Sequence, residues 1–114
     1  MKPVLFLAFL VLGCRGAPVR PFPRHVQTLA GRVEVVRVVD PIADGEPVLG
    51  AWYWDKRQIV VAANVPSWVA WHTLHHEMCH ANFDAAGLTH LHDGAEQEAI
   101  CDAMASGQMM QRTF

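Results

Sequence analysis

The chain alternates between apolar and polar residues through its first half and then changes to a helical spacing of apolar residues. Residues 31–39 place valines between charged side chains, and this alternation is typical of a half-buried β-strand. Residues 48–54 and 58–63 are apolar runs on either side of a short polar stretch, as expected of a β-hairpin. We therefore predict about three antiparallel strands, with the hairpin at the edge of the sheet.

Two helices are predicted after the strands. A proline and a serine at 66–67 indicate the start of the first helix, and Gly87 indicates its end. Apolar residues recur along it at three- and four-residue spacing, and they are Trp71, Leu74, Met78, Ala81 and Ala85. The second helix is predicted from Asp93, as N-cap with a glutamate three places later, through Met104. This order of elements predicts an α+β fold in which a small antiparallel sheet packs on two main helices.

The N-terminal residues have the pattern of an export signal. A lysine at position 2 precedes an apolar run over residues 3–12, which is shorter than the roughly 20 residues of a membrane-spanning helix. The glycine before Cys14 resembles the lipobox of bacterial lipoproteins, whose cysteine becomes the lipid-bearing first residue. We therefore predict a signal peptide over residues 1–14, lipidation of Cys14 and a place in the bacterial cell envelope, periplasmic or on the outer surface. Ordinary cleavage after Ala17 is the alternative.

The remaining residues are enough for one small domain. Residues 15–28 are rich in proline and predict an extended tether, which leaves residues 29–114 for the domain. The formal net charge of −2 gives no basic surface of the kind that binds nucleic acid. We therefore expect no nucleic-acid partner and contact with a membrane through the lipid anchor only, and the sequence leaves the oligomeric state open.

The first predicted helix carries a candidate metal site in the stretch HEMCH, which begins at His76. His76 and His80 lie one helical turn apart on one face, so their imidazoles can bind one zinc ion together. Glu77 lies beside the first histidine, where it could act as general base for a zinc-activated water. These residue types in this spacing are those of a hydrolytic zinc site, but a five-residue pattern also occurs often by chance, and a helix that is merely rich in histidine is the alternative.

A catalytic zinc ion needs a third protein ligand and an open position for water. The second predicted helix offers Glu98 and Asp102 one turn apart, so that one carboxylate could bind the metal while the other orients a ligand histidine. Glu96 is expected to cap the helix and points away from Glu98, and we therefore choose Glu98 as the ligand. A histidine of the stretch THLHD, residues 89–93, is the alternative third ligand.

HEMCH followed by EAICD resembles the H-E-x-x-H … E-x-x-x-D pattern of the gluzincin metallopeptidases, the thermolysin-like clan. The hairpin at residues 48–63 is similar to the edge hairpin that precedes the zinc helix in small zincins, so the likeness spans residues 48–104. The resemblance implies a zincin-like domain with one Zn²⁺ ion. It implies His76, His80 and Glu98 as ligands, Glu77 as general base and acid, and Asp102 as the partner that orients a ligand histidine.

The reaction implied is hydrolysis of a peptide bond in a peptide or protein substrate. An edge strand, either residues 48–54 or 58–63, could hold that substrate in extended form. The sequence shows no C-terminal helical domain with the downstream histidine or tyrosine by which the family stabilises the transition state, so that role is unassigned. The alternatives are a non-catalytic metal-binding lipoprotein and an inactive remnant of a larger protease. A storage site would have no need of Glu77.

The other histidines and the tryptophans have plainer interpretations. His72 continues the ligand face by one more turn and could be a ligand, but the gluzincin pattern does not use it. We interpret it as a polar residue of the first helical turn or as a group at the rim of the site. His75 falls about 100° away from that face and is predicted to be an ordinary surface or interface histidine. The four tryptophans are predicted to pack in the core and the hairpin.

The two cysteines beyond Cys14 suggest a crosslink between the helices. Cys79 and Cys101 each follow a predicted ligand by three residues, one on each predicted helix. An exported chain meets an oxidising compartment in which disulfides persist. We therefore predict a Cys79–Cys101 disulfide across the site, and a pair of buried free thiols is the alternative.

Overall fold

The computed structural model of the protein describes residues 20–89 and 93–113. The predicted signal peptide, Cys14, His90 and His92 lie outside the described residues. Within these residues the strands are β1 (His25–Thr28), β2 (Gly31–Val38), β3 (Ile42–Ala43), β4 (Glu46–Pro47), β5 (Gly50–Tyr53) and β6 (Gln58–Ala62), and the helices are α1 (Ser67–Ala85) and α2 (Gly94–Thr113). In this part of the chain, neither helix combines the length and the apolar composition that crossing a membrane requires.

The described strands form a mixed four-stranded sheet in the order β1-β2-β6-β5, and β3 pairs with β4 in a separate two-stranded sheet. The predicted α+β class and the β5–β6 hairpin are confirmed. The prediction of a purely antiparallel sheet is wrong, because β6 pairs parallel with β2. β6 carries the buried Ile59 and Val61 and lies in the interior of the sheet, whereas β5 forms its edge. This placement brings β6 beside β2 in the same direction.

The fold begins before residue 29, where the sequence predicted the start of the domain. β1 lies within the segment predicted as a tether and pairs antiparallel with β2. The turn between them places Gly31 at φ +93°, and the backbone N–H of Leu29 donates to Asn82 Oδ1 on α1 at 2.8 Å. The four residues of β1 are too few to show a clear strand period, which is why the sequence pattern did not predict this strand.

The core lies between the sheet and α1. It is built from Val33, Val35, Ile59 and Val61 of the sheet with Ala70 and Leu74 of the helix. Of the predicted apolar stripe, Leu74 and Ala81 are buried, whereas Ala85 is exposed at the end of the helix. The helix ends at Ala85, just before the predicted stop signal Gly87, which has φ +71° and donates its N–H to Asp84 O at 3.1 Å. One face of α1 is therefore fixed against the sheet.

α2 is attached to the rest of the domain mainly through α1. Its predicted start is confirmed, because Asp93 Oδ1 accepts the backbone N–H of Glu96 at 2.7 Å. The helix continues well past Met104, the last residue for which it was predicted. Among its described side chains only Cys101 and Ala105 are buried, and α1 is the element that it packs against substantially. The position of α2 therefore depends on a small apolar contact with one neighbour.

A glycine in β5 allows α1 to lie close to the sheet. A Cβ at Gly50 would lie 2.8 Å from Val60 O and 3.4 Å from Glu77 Cγ, and it would also meet Thr73 Cγ2. We expect Gly50→Ala to lower the free energy of unfolding by about 1–3 kcal/mol, the usual effect of overpacking a core. Chemical denaturation of the metal-free protein measures this change.

Gly107→Ala is the matched control for Gly50→Ala. Nothing lies within 4 Å of a Cβ added at Gly107, which is exposed on α2. Alanine in a helix interior should raise stability by about 0.5–1 kcal/mol relative to glycine. Equal stability of Gly50→Ala and the wild type would contradict the close approach of β5 and α1.

Candidate metal centre

α1 directs two imidazoles toward one point. His76 and His80 are one helical turn apart, their ring centroids are 4.9 Å apart, and their Nε2 atoms are 3.1 Å apart. Each of these side chains is 14% exposed, so the rings are largely enclosed by protein. The helix period that predicted a shared face therefore also brings the two ring nitrogens together.

Glu98 of α2 completes a group of three donors. Its Oε2 lies 3.0 Å from His76 Nε2, and its Oε1 lies 2.7 Å from His80 Nε2. One ligand atom from each of the three side chains lies within 4.8 Å of the others. The structure thus brings together the two histidines and the carboxylate that the sequence predicted as ligands.

Two side chains of α2 contact the Nδ1 atoms of the two imidazoles. His76 Nδ1 lies 2.7 Å from Asp102 Oδ1, and His80 Nδ1 lies 2.6 Å from Gln97 Oε1. When each Nδ1 donates to its oxygen acceptor, the lone pair on Nε2 is free for a metal ion. Asp102 takes the orienting position predicted for it. Gln97 was not predicted, because an amide beside Glu98 carries no sequence signal of a role at a metal.

The donor set fits a divalent cation. Two Nε2 lone pairs and a carboxylate converge in a small volume, and a positive charge among them would offset their mutual repulsion. Two donors bound at about 2.1 Å to one tetrahedral zinc ion lie roughly 3.4 Å apart. The separations in this group are 2.7, 3.0 and 3.1 Å, so small outward movements of the side chains would fit them around an ion. The three side chains can therefore hold a metal ion.

Glu77 lies in the wall of a cleft beside the donor group. The cleft has a volume of about 370 Å³ and is lined by the donors His76 and Glu98, by Glu77 and by the start of β5. Glu77 is 7% exposed, and burial raises the pKa of its carboxyl group above the ordinary value. The nearby His80 and His76 lower this pKa, and Glu98 raises it further. A carboxylate with a raised pKa is a stronger base, as proton transfer in the cleft would require.

The edge of the sheet beside the cleft is β5. Of the two strands predicted as a possible peptide-binding edge, residues 58–63 are excluded, because β6 is hydrogen-bonded on both sides. β5 pairs with β6 alone in the described sheet. The cleft is lined by Gly50, the first residue of β5, and by Val48 and Leu49 just before it. An extended chain laid along this edge would therefore pass the donor group.

The remaining predicted histidines take different positions. His72 lines the cleft, and its Nε2 lies 3.3 Å from Ser106 Oγ on α2. His75 stacks on Trp71 with ring centroids 6.4 Å apart, and it is not among the residues that line the cleft. His72 is therefore part of the site and His75 belongs to the packing around α1.

The tryptophans divide into packed and exposed pairs. Trp52 and Trp71 pack against the core, and Trp52 Nε1 donates to Asp84 Oδ2 at 2.6 Å. Trp54 and Trp68 are 74% and 66% exposed, so the prediction that all four tryptophans pack in the core and hairpin is wrong for these two. Trp54 lies in the turn of the β5–β6 hairpin and Trp68 in the first turn of α1, where apolar periodicity is a weak guide to burial.

A disulfide joins the two helices next to the donor group. Cys79 of α1 and Cys101 of α2 are bonded, with Cα atoms 5.5 Å apart. Both cysteines are buried, and they form a small apolar cluster with Phe83 and the partly buried Ile100. Each cysteine follows a donor, His76 or Glu98, by three residues. The disulfide therefore fixes α2 to α1 within one helical turn of the donor group.

The chain has no match among protein-family models, and neither curated proteins nor solved structures include one that is detectably similar to it. The support for a functional assignment is therefore internal to this molecule. It consists of the HEMCH and EAICD motifs and of the geometry in which their side chains meet.

Proposed function

We propose that the protein is a zinc-dependent metallopeptidase of gluzincin type. The observation that carries this proposal is the convergence of His76, His80 and Glu98 beside an open cleft that is lined by two of these donors, His76 and Glu98, and by the buried Glu77. The same sequence order, ligand types and spacing are found in the H-E-x-x-H … E-x-x-x-D pattern. The β5 edge beside the cleft adds a surface that could align an extended peptide.

Each residue of the site would have a separate role in the reaction. Zinc, when held by the three donors, would polarise the substrate carbonyl and lower the pKa of water to about 7. Glu77 would accept a proton from the attacking water and pass it to the nitrogen of the leaving amine as the C–N bond breaks. Asp102 and Gln97 would hold the two imidazoles in the tautomer that binds metal.

Glu77 favours hydrolysis over metal storage. Burying a carboxylate disfavours its charged form, and a storage site would not need an acid between its two histidines. The second candidate, a metal-binding lipoprotein without turnover, is favoured by the seven histidines among 114 residues. Export and lipidation at Cys14 remain part of both proposals.

Glu77→Gln tests the proposed reaction. We expect this variant to keep one zinc ion per chain and to lose at least about 100-fold in cleavage of a quenched peptide library, because general acid–base catalysis contributes about 10²–10⁴-fold. Metal analysis and a fluorescence assay measure the two quantities. Asp55→Asn, a change at an exposed acid in the β5–β6 turn, should alter neither.

Two results would contradict the proposal. A Glu77→Gln variant that cleaves at the wild-type rate would remove the assigned general base. A zinc-loaded wild type that cleaves no member of the library would favour the metal-binding function instead.

A further inference from the structure

Peptide hydrolysis needs a group that the two motifs do not supply. Attack on a peptide carbonyl places negative charge on its oxygen, and a hydrogen-bond donor aimed at that oxygen stabilises the transition state. In the proposed function, the metal ion is bound by His76, His80 and Glu98. Glu77 transfers the proton. A hydrogen-bond donor that acts beside the zinc ion on this oxygen would therefore come from another residue of the cleft.

Among the described residues that line the cleft, one uncommitted side chain carries a ring N–H. Val48, Leu49 and Gly50 offer no side-chain donor. The Thr73 hydroxyl donates to Val69 O at 2.7 Å, so its proton is already used. The imidazole of His72 is the side chain that remains.

His72 is placed beside the donor group by the helix itself. It lies one turn before His76 on α1, and side chains four residues apart on a helix have Cβ atoms about 5–6 Å apart. Ser106 contacts one ring nitrogen of His72 from α2, with Nε2 and Oγ 3.3 Å apart. This contact limits rotation of the ring. When the Ser106 hydroxyl donates to Nε2, the proton of the neutral imidazole is on Nδ1, which can then donate to a substrate.

We infer that His72 is a catalytic residue, whose imidazole N–H donates a hydrogen bond to the scissile carbonyl oxygen as that oxygen becomes negatively charged. The inference rests on the proposed peptidase function. His72 would form no covalent bond and transfer no proton, so it adds transition-state stabilisation to the reaction without changing its products. Ser106 would be a positioning residue that acts through His72.

The test compares His72→Ala and His72→Gln with the wild type, all loaded with zinc. We expect His72→Ala to lower kcat by about 10²–10³-fold, the usual effect of removing one donor to an oxyanion, with little change in KM. His72→Gln retains an N–H donor and should recover part of that loss. His25→Ala, at an exposed histidine on β1, is the matched control and should leave kcat unchanged.

The outcomes separate this inference from the proposed function. An active wild type with an equally active His72→Ala variant would overturn the role of His72 and leave the peptidase proposal intact. An effect confined to KM, or a loss of zinc from His72→Ala, would also overturn it, because His72 would then bind substrate in the ground state or bind the metal. A zinc-loaded wild type without activity would overturn both proposals together.

Discussion

Replacing Glu98 with alanine is expected to remove zinc from the protein at micromolar metal concentrations and to abolish peptide cleavage. Both carboxylate oxygens of Glu98 face an imidazole nitrogen, and the two histidines alone would leave a divalent ion with too few protein donors. The loss in affinity should exceed the roughly 10- to 100-fold that follows loss of a residue orienting a metal ligand. Competition with a chromogenic chelator measures the zinc dissociation constant.

Asp102→Asn provides a graded comparison for Glu98→Ala. Asparagine keeps an oxygen acceptor for His76 Nδ1 but removes the charge, so zinc affinity should fall by no more than about 10- to 100-fold. Wild-type zinc affinity in Glu98→Ala would show that the third ligand is another residue. The histidines at positions 90 and 92, outside the described residues, would then become the candidates.

The group of donors that could hold a metal ion could be predicted from the sequence because it depends on local geometry. The helix period places His76 and His80 on one face, and the same period relates Glu98 to Asp102. A single assumption, that the two helices pack face to face, then brings the four side chains together. The packing of α1 with α2 satisfies that assumption.

The other features of the site depend on how the helices and strands are positioned relative to one another. The pattern of apolar and polar residues does not predict these positions. Gln97 reaches His80 only because of where α2 begins relative to α1. His72 becomes part of the cleft because β5 and α2 enclose its face of α1. The parallel pairing of β6 with β2 likewise depends on which strand takes the interior of the sheet, and β5 and β6 are both apolar enough for a hairpin in either order.

Removing the Cys79–Cys101 disulfide is expected to lower both the stability of the domain and its affinity for zinc. A crosslink that closes a loop with a sequence separation of 22 residues contributes about 2–4 kcal/mol. In a domain of this size that corresponds to a fall of about 10–25 °C in Tm. The double variant Cys79→Ala with Cys101→Ala keeps the buried positions apolar, and thermal unfolding with and without zinc measures its stability.

The effect on zinc affinity follows from how α2 is held. Glu98 is on α2, whose described buried side chains are Cys101 and Ala105, so without the disulfide a small contact with α1 must position the third ligand. Zinc binding would then have to order α2 as well as bind the ion, and its affinity should fall. Coupling between two sites is reciprocal. Zinc must therefore protect the disulfide from reduction by the same factor by which the disulfide raises the zinc affinity of the reduced chain. Redox titration in glutathione buffers, with and without zinc, measures that factor independently. Equal zinc affinity in the wild type and the double variant, with no protection of the disulfide by zinc, would show that α2 keeps its position without the crosslink.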